Sequence, residues 1–222
     1  LPTFDVFAYD RRGYQGSRSL GASDKLNEHI DDLLTMIALV QDRGPVIVFG
    51  HSLGGVISIG AAVAEPTAMA AVMAYESPMR WLIDDGPDWW QPQQDAGKEA
   101  EIFFRRITSD AAWDRLSETE REDRRADGAA LVADLTMVRT TIPFHATQLA
   151  LLATPVVVAV GGASDHPRYK NSAEVIVDAA PVSMSAVLDG AAHGAHLSHP
   201  DGVAALIADV ARNYGRTRRI EG

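Results

Sequence analysis

The sequence contains no cysteine, which removes disulfides, thiolate metal sites and cysteine nucleophiles together. It is also short of positive charge: 20 Lys and Arg stand against 30 Asp and Glu, a formal net charge of −10. A body of that sign repels phosphate backbones, so nucleic acid is not an expected partner. The basic cluster Arg212, Arg216, Arg218 and Arg219 lies at the C-terminal end, where a solvated tail is the plain reading. No apolar run approaches the ~20 residues needed to span a bilayer, and no signal-peptide pattern is visible. No membrane association is expected, and a cytoplasmic location is. No internal repeat or low-complexity segment stands out beyond a general richness in Ala.

What is present is an ordinary globular composition, 222 residues of which 46% are hydrophobic and 23% charged. A chain of this length buries roughly 70% of the surface its unfolded form exposes, enough for a full core in one domain with an insertion. Phe4 to Tyr9 is a short apolar run ending at Asp10-Arg11-Arg12-Gly13, which reads as a buried strand and a turn. From Ser23 the period changes, and Leu26, Ile30, Leu33, Leu34 and Ile37 fall on one helical face that Gly44-Pro45 ends. Val46–Phe49 and Ala71–Tyr75 read as further buried strands, with a small-residue helix between them that Pro66 stops. Strands alternating with helices over short connections imply parallel pairing, with both faces of the sheet covered. The alternation lapses between Met79 and His145, which reads as a helical insertion. It resumes with a strand at Val156–Val160, a helix near Asn171–Ala179, a strand near Ser183–Leu188 and a helix from Asp201 to Tyr214.

Gly50-His51-Ser52-Leu53-Gly54 is a G-x-S-x-G pattern placed between a strand and a helix. Such a turn holds its serine in a strained conformation above the sheet, and flanking glycines are expected where a Cβ would strike neighbouring backbone. Ser52 is the candidate nucleophile, with the Leu53 N–H at the helix start as an oxyanion donor. A serine at its free pKa needs a positioned base, itself held by a carboxylate. Of seven histidines, His193 is favoured over His196 and His199, because the small residues around it let the backbone approach closely. The H-x-x-H-x-x-H spacing of these three also suits a metal site. No helix or hairpin is expected to bring the rings together, so none is assigned. For the acid, Asp165 follows the strand Val156–Val160, at the end of a parallel sheet where sites form, and is favoured. Its rival is Glu76, immediately after Tyr75. Asp189 reads as a turn residue.

The order Ser52, Asp165, His193 is that of the α/β-hydrolase triad, and five segments together resemble that superfamily. FDVFAYDRRGYQGS resembles its D-x-R-G-x-G-x-S segment, VIVFGHSLGG the nucleophile strand and elbow, and AYESPM the Y-E-P-P that enters the cap. PVVVAVGGASD resembles the segment carrying the acid, and GAAHGAHLSHPDGVAALI the one carrying the histidine. The resemblance spans residues 4–214. It implies an α/β fold, a mostly parallel sheet with helices on both faces. Core parts would lie at 1–77 and 146–222, with a helical cap at 78–145. It also implies a serine hydrolase that cleaves an ester or related apolar acyl compound through an acyl-enzyme, with no metal or organic cofactor. His51 at the elbow, with Met79, Trp81 and Phe144, would line an apolar pocket for a small-molecule substrate. A serine at the elbow speaks against epoxide hydrolases and haloalkane dehalogenases, which use Asp there. Esterase, lactonase, thioesterase, C–C hydrolase and perhydrolase chemistry stay open, as does a non-catalytic ligand-binding homologue. Ser77 stands in place of the first Pro of Y-E-P-P, and Ala192 in place of the Gly before the histidine. The superfamily's upstream strands, and the His-Gly loop that gives a second oxyanion donor, are not among these residues. With Leu1 at its start, the chain is expected to be a piece whose active form includes them.

Overall fold

Parallel strands buried on both faces read as apolar runs; three such runs, and a fourth strand at the edge whose Met184 and Val187 are exposed, pair here in chain order into one parallel sheet. The structure is a computed structural model that describes residues 4–84, 90–93 and 95–215. The strands are β1 (Ile47–His51), β2 (Ala71–Tyr75), β3 (Val156–Gly161) and β4 (Ser183–Leu188). The chain divides into two compact units: a sheet unit within residues 30–85 and 142–222, and a helical unit within residues 4–29 and 86–141.

Helix α1 (Leu26–Val40) buries Ile30, Leu33 and Ile37 on one stripe, as the sequence periodicity requires. Helix α2 (Leu53–Ala64) is apolar nearly all round and buried accordingly. Gly60 lets α1 come close, since a Cβ there would lie 2.7 Å from Ile30 Cδ1. The helical unit holds α3 (Ala96–Ile107), α4 (Asp110–Asp114), α5 (Glu118–Ala126) and α6 (Gly128–Thr140); Trp113 of α4 is fully buried, with Phe104 of α3 edge-on to it and Arg125 of α5 over its ring. The starts of α3, α4 and α5 are capped by Asp95, Ser109 and the Ser117–Glu120 capping box. Arg11 binds both oxygens of the buried Asp134 on α6, and the Tyr14 hydroxyl donates to the same carboxylate. Beyond these lie the short α7 (Ala146–Leu149), then α8 (Pro167–Ala179), α9 (Ala195–Ser198) and α10 (Pro200–Tyr214). Helices α2 and α8 cover the face of the sheet that carries Ala74 and Val158. The opposite face, with Met73, Tyr75 and Val157, packs against Val203 and Val210 of α10.

Phe4–Tyr9 does not form the expected strand. A strand exists only through ladder bonds to a neighbour, and none of the four paired strands lies in this segment. Its apolar side chains are accordingly left in solvent, with Val6 85% exposed. The remaining sequence-predicted strands and helices are found within a few residues of their expected limits. No helix among the described residues is long and apolar enough to cross a membrane.

Candidate active site

The turn from β1 into α2 is one residue long, and Ser52 makes it with φ +55°, ψ −124°. A non-glycine residue in that region costs about 1–3 kcal/mol of strain and persists only where its neighbours over-determine it. Here they do: the Ser52 N–H donates to Tyr75 O at 2.8 Å, and Gly55 N–H closes back onto Ser52 O. Two glycines permit the close passage. A Cβ on Gly50 would lie 2.3 Å from Gly54 O, and one on Gly55 would lie 1.8 Å from Ser77 Oγ. Gly54 itself has open space, so the second obligatory glycine is Gly55 and not the Gly54 of the five-residue motif. The Leu53 N–H, first in α2, is among those that a helix start leaves without an intrahelical acceptor, and the positive end of the helix dipole lies there.

The histidine and its carboxylate come from two further strand ends. Glu76 directly follows β2 with φ +46° and is 1% exposed. Its Oε2 lies 2.9 Å from His193 Nδ1, and its Oε1 accepts the Gly161 N–H at 2.8 Å. Burial raises the Glu76 pKa, but hydrogen bonds from His193, Ser164 and the Gly161 N–H outweigh it and hold the carboxyl below the ordinary range. Asp165, favoured from the sequence, is exposed in the loop before α8 and makes no hydrogen bond to His193. The carboxylate bonded to His193 is that of Glu76, the rival to Asp165. Strand order accounts for this: β2 is the immediate neighbour of β1, whereas β3 lies one strand further away. The β1–β2 register pairs His51 with Tyr75, so Ser52 and Glu76 follow at the same level.

His193 lies on the loop between β4 and α9. Its ring stacks on Tyr169 of α8 at 4.8 Å and 12°, and its centroid is 4.5 Å from that of His51. Ser52 Oγ and His193 form no hydrogen bond in this structure; such contacts commonly tighten only around bound substrate. His196 faces the His51 ring at 4.7 Å, while His199 turns to the Ser198 hydroxyl. No cluster of three or more His, Asp or Glu among the described residues could hold a metal ion. Met79 and Phe144, expected to line a pocket, are 0% and 1% exposed. Met79 N–H is bonded to Ser172 Oγ, and Phe144 takes Trp81 edge-on with its carbonyl bonded to the indole N–H. These two are core residues, and Trp81 is half-buried beside them. Sequence reasoning missed Tyr169, Gly161 and Ser164. Nothing local marks them, because each matters through a strand end or a helix start that meets Glu76 or His193 only in the fold.

A family model described as the alpha/beta hydrolase family matches residues 2–206. A pimeloyl-[acyl-carrier protein] methyl ester esterase of Yersinia pseudotuberculosis is 26% identical over 227 residues, covering 95% of this chain and 84% of that protein. Among solved structures, a hydrolase from Pseudomonas aeruginosa superposes with a TM-score of 0.66 at 21% identity, over 94% of this chain and 78% of the other. A thermophilic esterase from Thermogutta terrifontis gives 0.64 at 19% identity, over 93% and 79%.

Proposed function

The chain belongs to the alpha/beta hydrolase family, and from that premise we propose that it is a serine hydrolase of esters or related acyl compounds, with Ser52 as nucleophile, His193 as general base and Glu76 as its acid. The observation that carries this reading is the 2.9 Å Glu76–His193 contact beside a strained serine elbow. With Nδ1 engaged by the carboxylate, the proton of a neutral imidazole sits there and the Nε2 lone pair is free to accept. His193 Nε2 takes the Ser52 proton as Oγ attacks the substrate carbonyl, and Glu76 offsets the imidazolium charge. The Leu53 N–H donates to the oxyanion. The imidazolium then protonates the leaving alkoxide, and water activated by the same histidine hydrolyses the acyl-enzyme. The methyl ester esterase among the relatives supports an ester as the substrate class.

A fluorophosphonate should form one adduct, at Ser52, and p-nitrophenyl acetate should be turned over. Ser52→Ala should abolish the adduct and lower kcat by several orders of magnitude, as loss of a triad serine does. Labelling of Ser52→Ala as readily as the parent would remove Ser52 from the mechanism.

A further inference from the structure

The loop that carries His193 leaves β4, at the far edge of the sheet, and must pass the ends of β3 and β2 to reach β1. A reacting group misplaced by about 1 Å costs about 10²-fold in rate, so something must hold this loop. Three consecutive carbonyls do so, each accepting a hydrogen bond from a different strand end. Ala191 O accepts the Ala163 N–H, just past β3, at 2.8 Å. Ala192 O accepts the Tyr75 hydroxyl of β2 at 3.1 Å. His193 O meets His51 Nε2 of β1 at 2.7 Å. The third bond falls on the histidine itself, and its donor is the residue before Ser52.

We infer that His51, donating from Nε2–H to the His193 main chain, is a positioning residue that sets the imidazole of His193 over Ser52; this rests on the serine-hydrolase reading above. A carbonyl can only accept, so His51 must carry its proton on Nε2. It must also stay neutral, because its ring is 4.5 Å from the one that becomes an imidazolium during acyl transfer. The surroundings enforce this. Burial first, then the nearness of His193 and His196, push the His51 pKa down to about 3, against smaller opposing pulls from its hydrogen bond to the His193 main chain and from Glu76. A neutral donor holds the loop without repelling the charge that forms on His193.

The test compares the parent with His51→Phe and His51→Leu, which lose the donor, and His51→Gln, which keeps an N–H at similar reach. Each is assayed for the rate of fluorophosphonate adduct formation at Ser52 and for kcat and KM on p-nitrophenyl acetate, with melting curves to confirm folding. The Phe and Leu variants should label about 10-fold more slowly and lose about 10–100-fold in kcat, with KM within about 3-fold, and Gln should restore most of the loss. Equal labelling and kcat across all four proteins, with Ser52 labelled in the parent, overturns the inference and leaves the reading intact. A parent that forms no adduct at Ser52 overturns the reading itself. Should the Phe and Leu variants fail to fold, the imidazole 15N spectrum of the parent decides. An Nε2–H tautomer for His51 that persists from about pH 8 to about pH 4 upholds the inference. An Nδ1–H tautomer, or a midpoint near the ordinary 6.5, overturns it.

Discussion

Ser52 and Glu76 end neighbouring strands, and both are non-glycine residues with left-handed backbone, φ +55° and +46°. Each is held by the next strand over: Ser52 N–H by Tyr75 O, and Glu76 N–H by Ala159 O. The parallel ladder thus continues one residue past β1 and past β2, and there it fixes two side chains at the same height. Strain at Ser52 is separable from its chemistry. Ser52→Ala and Ser52→Gly both delete Oγ, but only Gly also deletes the Cβ that makes φ +55° costly. The Gly variant should therefore be more stable than the Ala variant by about 1 kcal/mol, the relieved strain exceeding the extra chain entropy of Gly. Urea midpoints of the two variants check this, and the opposite order would mean that the turn is not strained.

Between elements, the β1–α2 turn works because backbone passes backbone at Gly50. Gly50→Ala would put a Cβ 2.3 Å from Gly54 O, a backbone atom that cannot step aside. It should cost about 3 kcal/mol or more. Gly54→Ala meets nothing within 4 Å inside a helix, and should be neutral or stabilising by up to about 1 kcal/mol. Thermal melts of the two variants should diverge accordingly; equal loss from both would contradict the geometry. Strands β1, β2 and β3 were legible because buried parallel strands write themselves as apolar runs bounded by Gly, Pro and polar turns; β4, largely exposed at the sheet edge, was legible from its place in the strand–helix alternation. Phe4–Tyr9 carries the same signature without a partner strand, and a run of apolar residues reports a tendency to be buried, not a neighbour. The elbow turn at Ser52 and the loop that carries His193 were likewise legible, each within its own short motif. The carboxylate that meets His193 was not. Glu76 and Asp165 both follow a parallel strand, and only strand order and the Gly161 N–H on Glu76 Oε1 separate them.

Across the whole molecule, three histidines and Glu76 share one response to acid. His29, His51 and His196 all have pKa values lowered first by burial, so below the ordinary 6.5 the unfolded chain takes up protons that the folded chain refuses. Their contribution to stability is complete above about 6.5 and is lost as pH falls, for His51 down to about 3. Glu76, held below its ordinary 4.5, adds a further loss below that value. Urea midpoints measured in about 0.15 M salt, where the repulsion of the −10 body is screened, should fall between pH 7.5 and pH 5; a rise would contradict these assignments. The proposed triad sets Glu76, and not Asp165, behind His193. Glu76→Gln keeps an acceptor for the Gly161 N–H but presents an amide to Nδ1, favouring the wrong imidazole tautomer. The most direct measurement is kcat on p-nitrophenyl acetate for Glu76→Gln beside Asp165→Asn. A loss of about 10³–10⁴-fold for Glu76→Gln with Asp165→Asn within about 3-fold of the parent is the expected result; equal losses, or the reverse order, would contradict it.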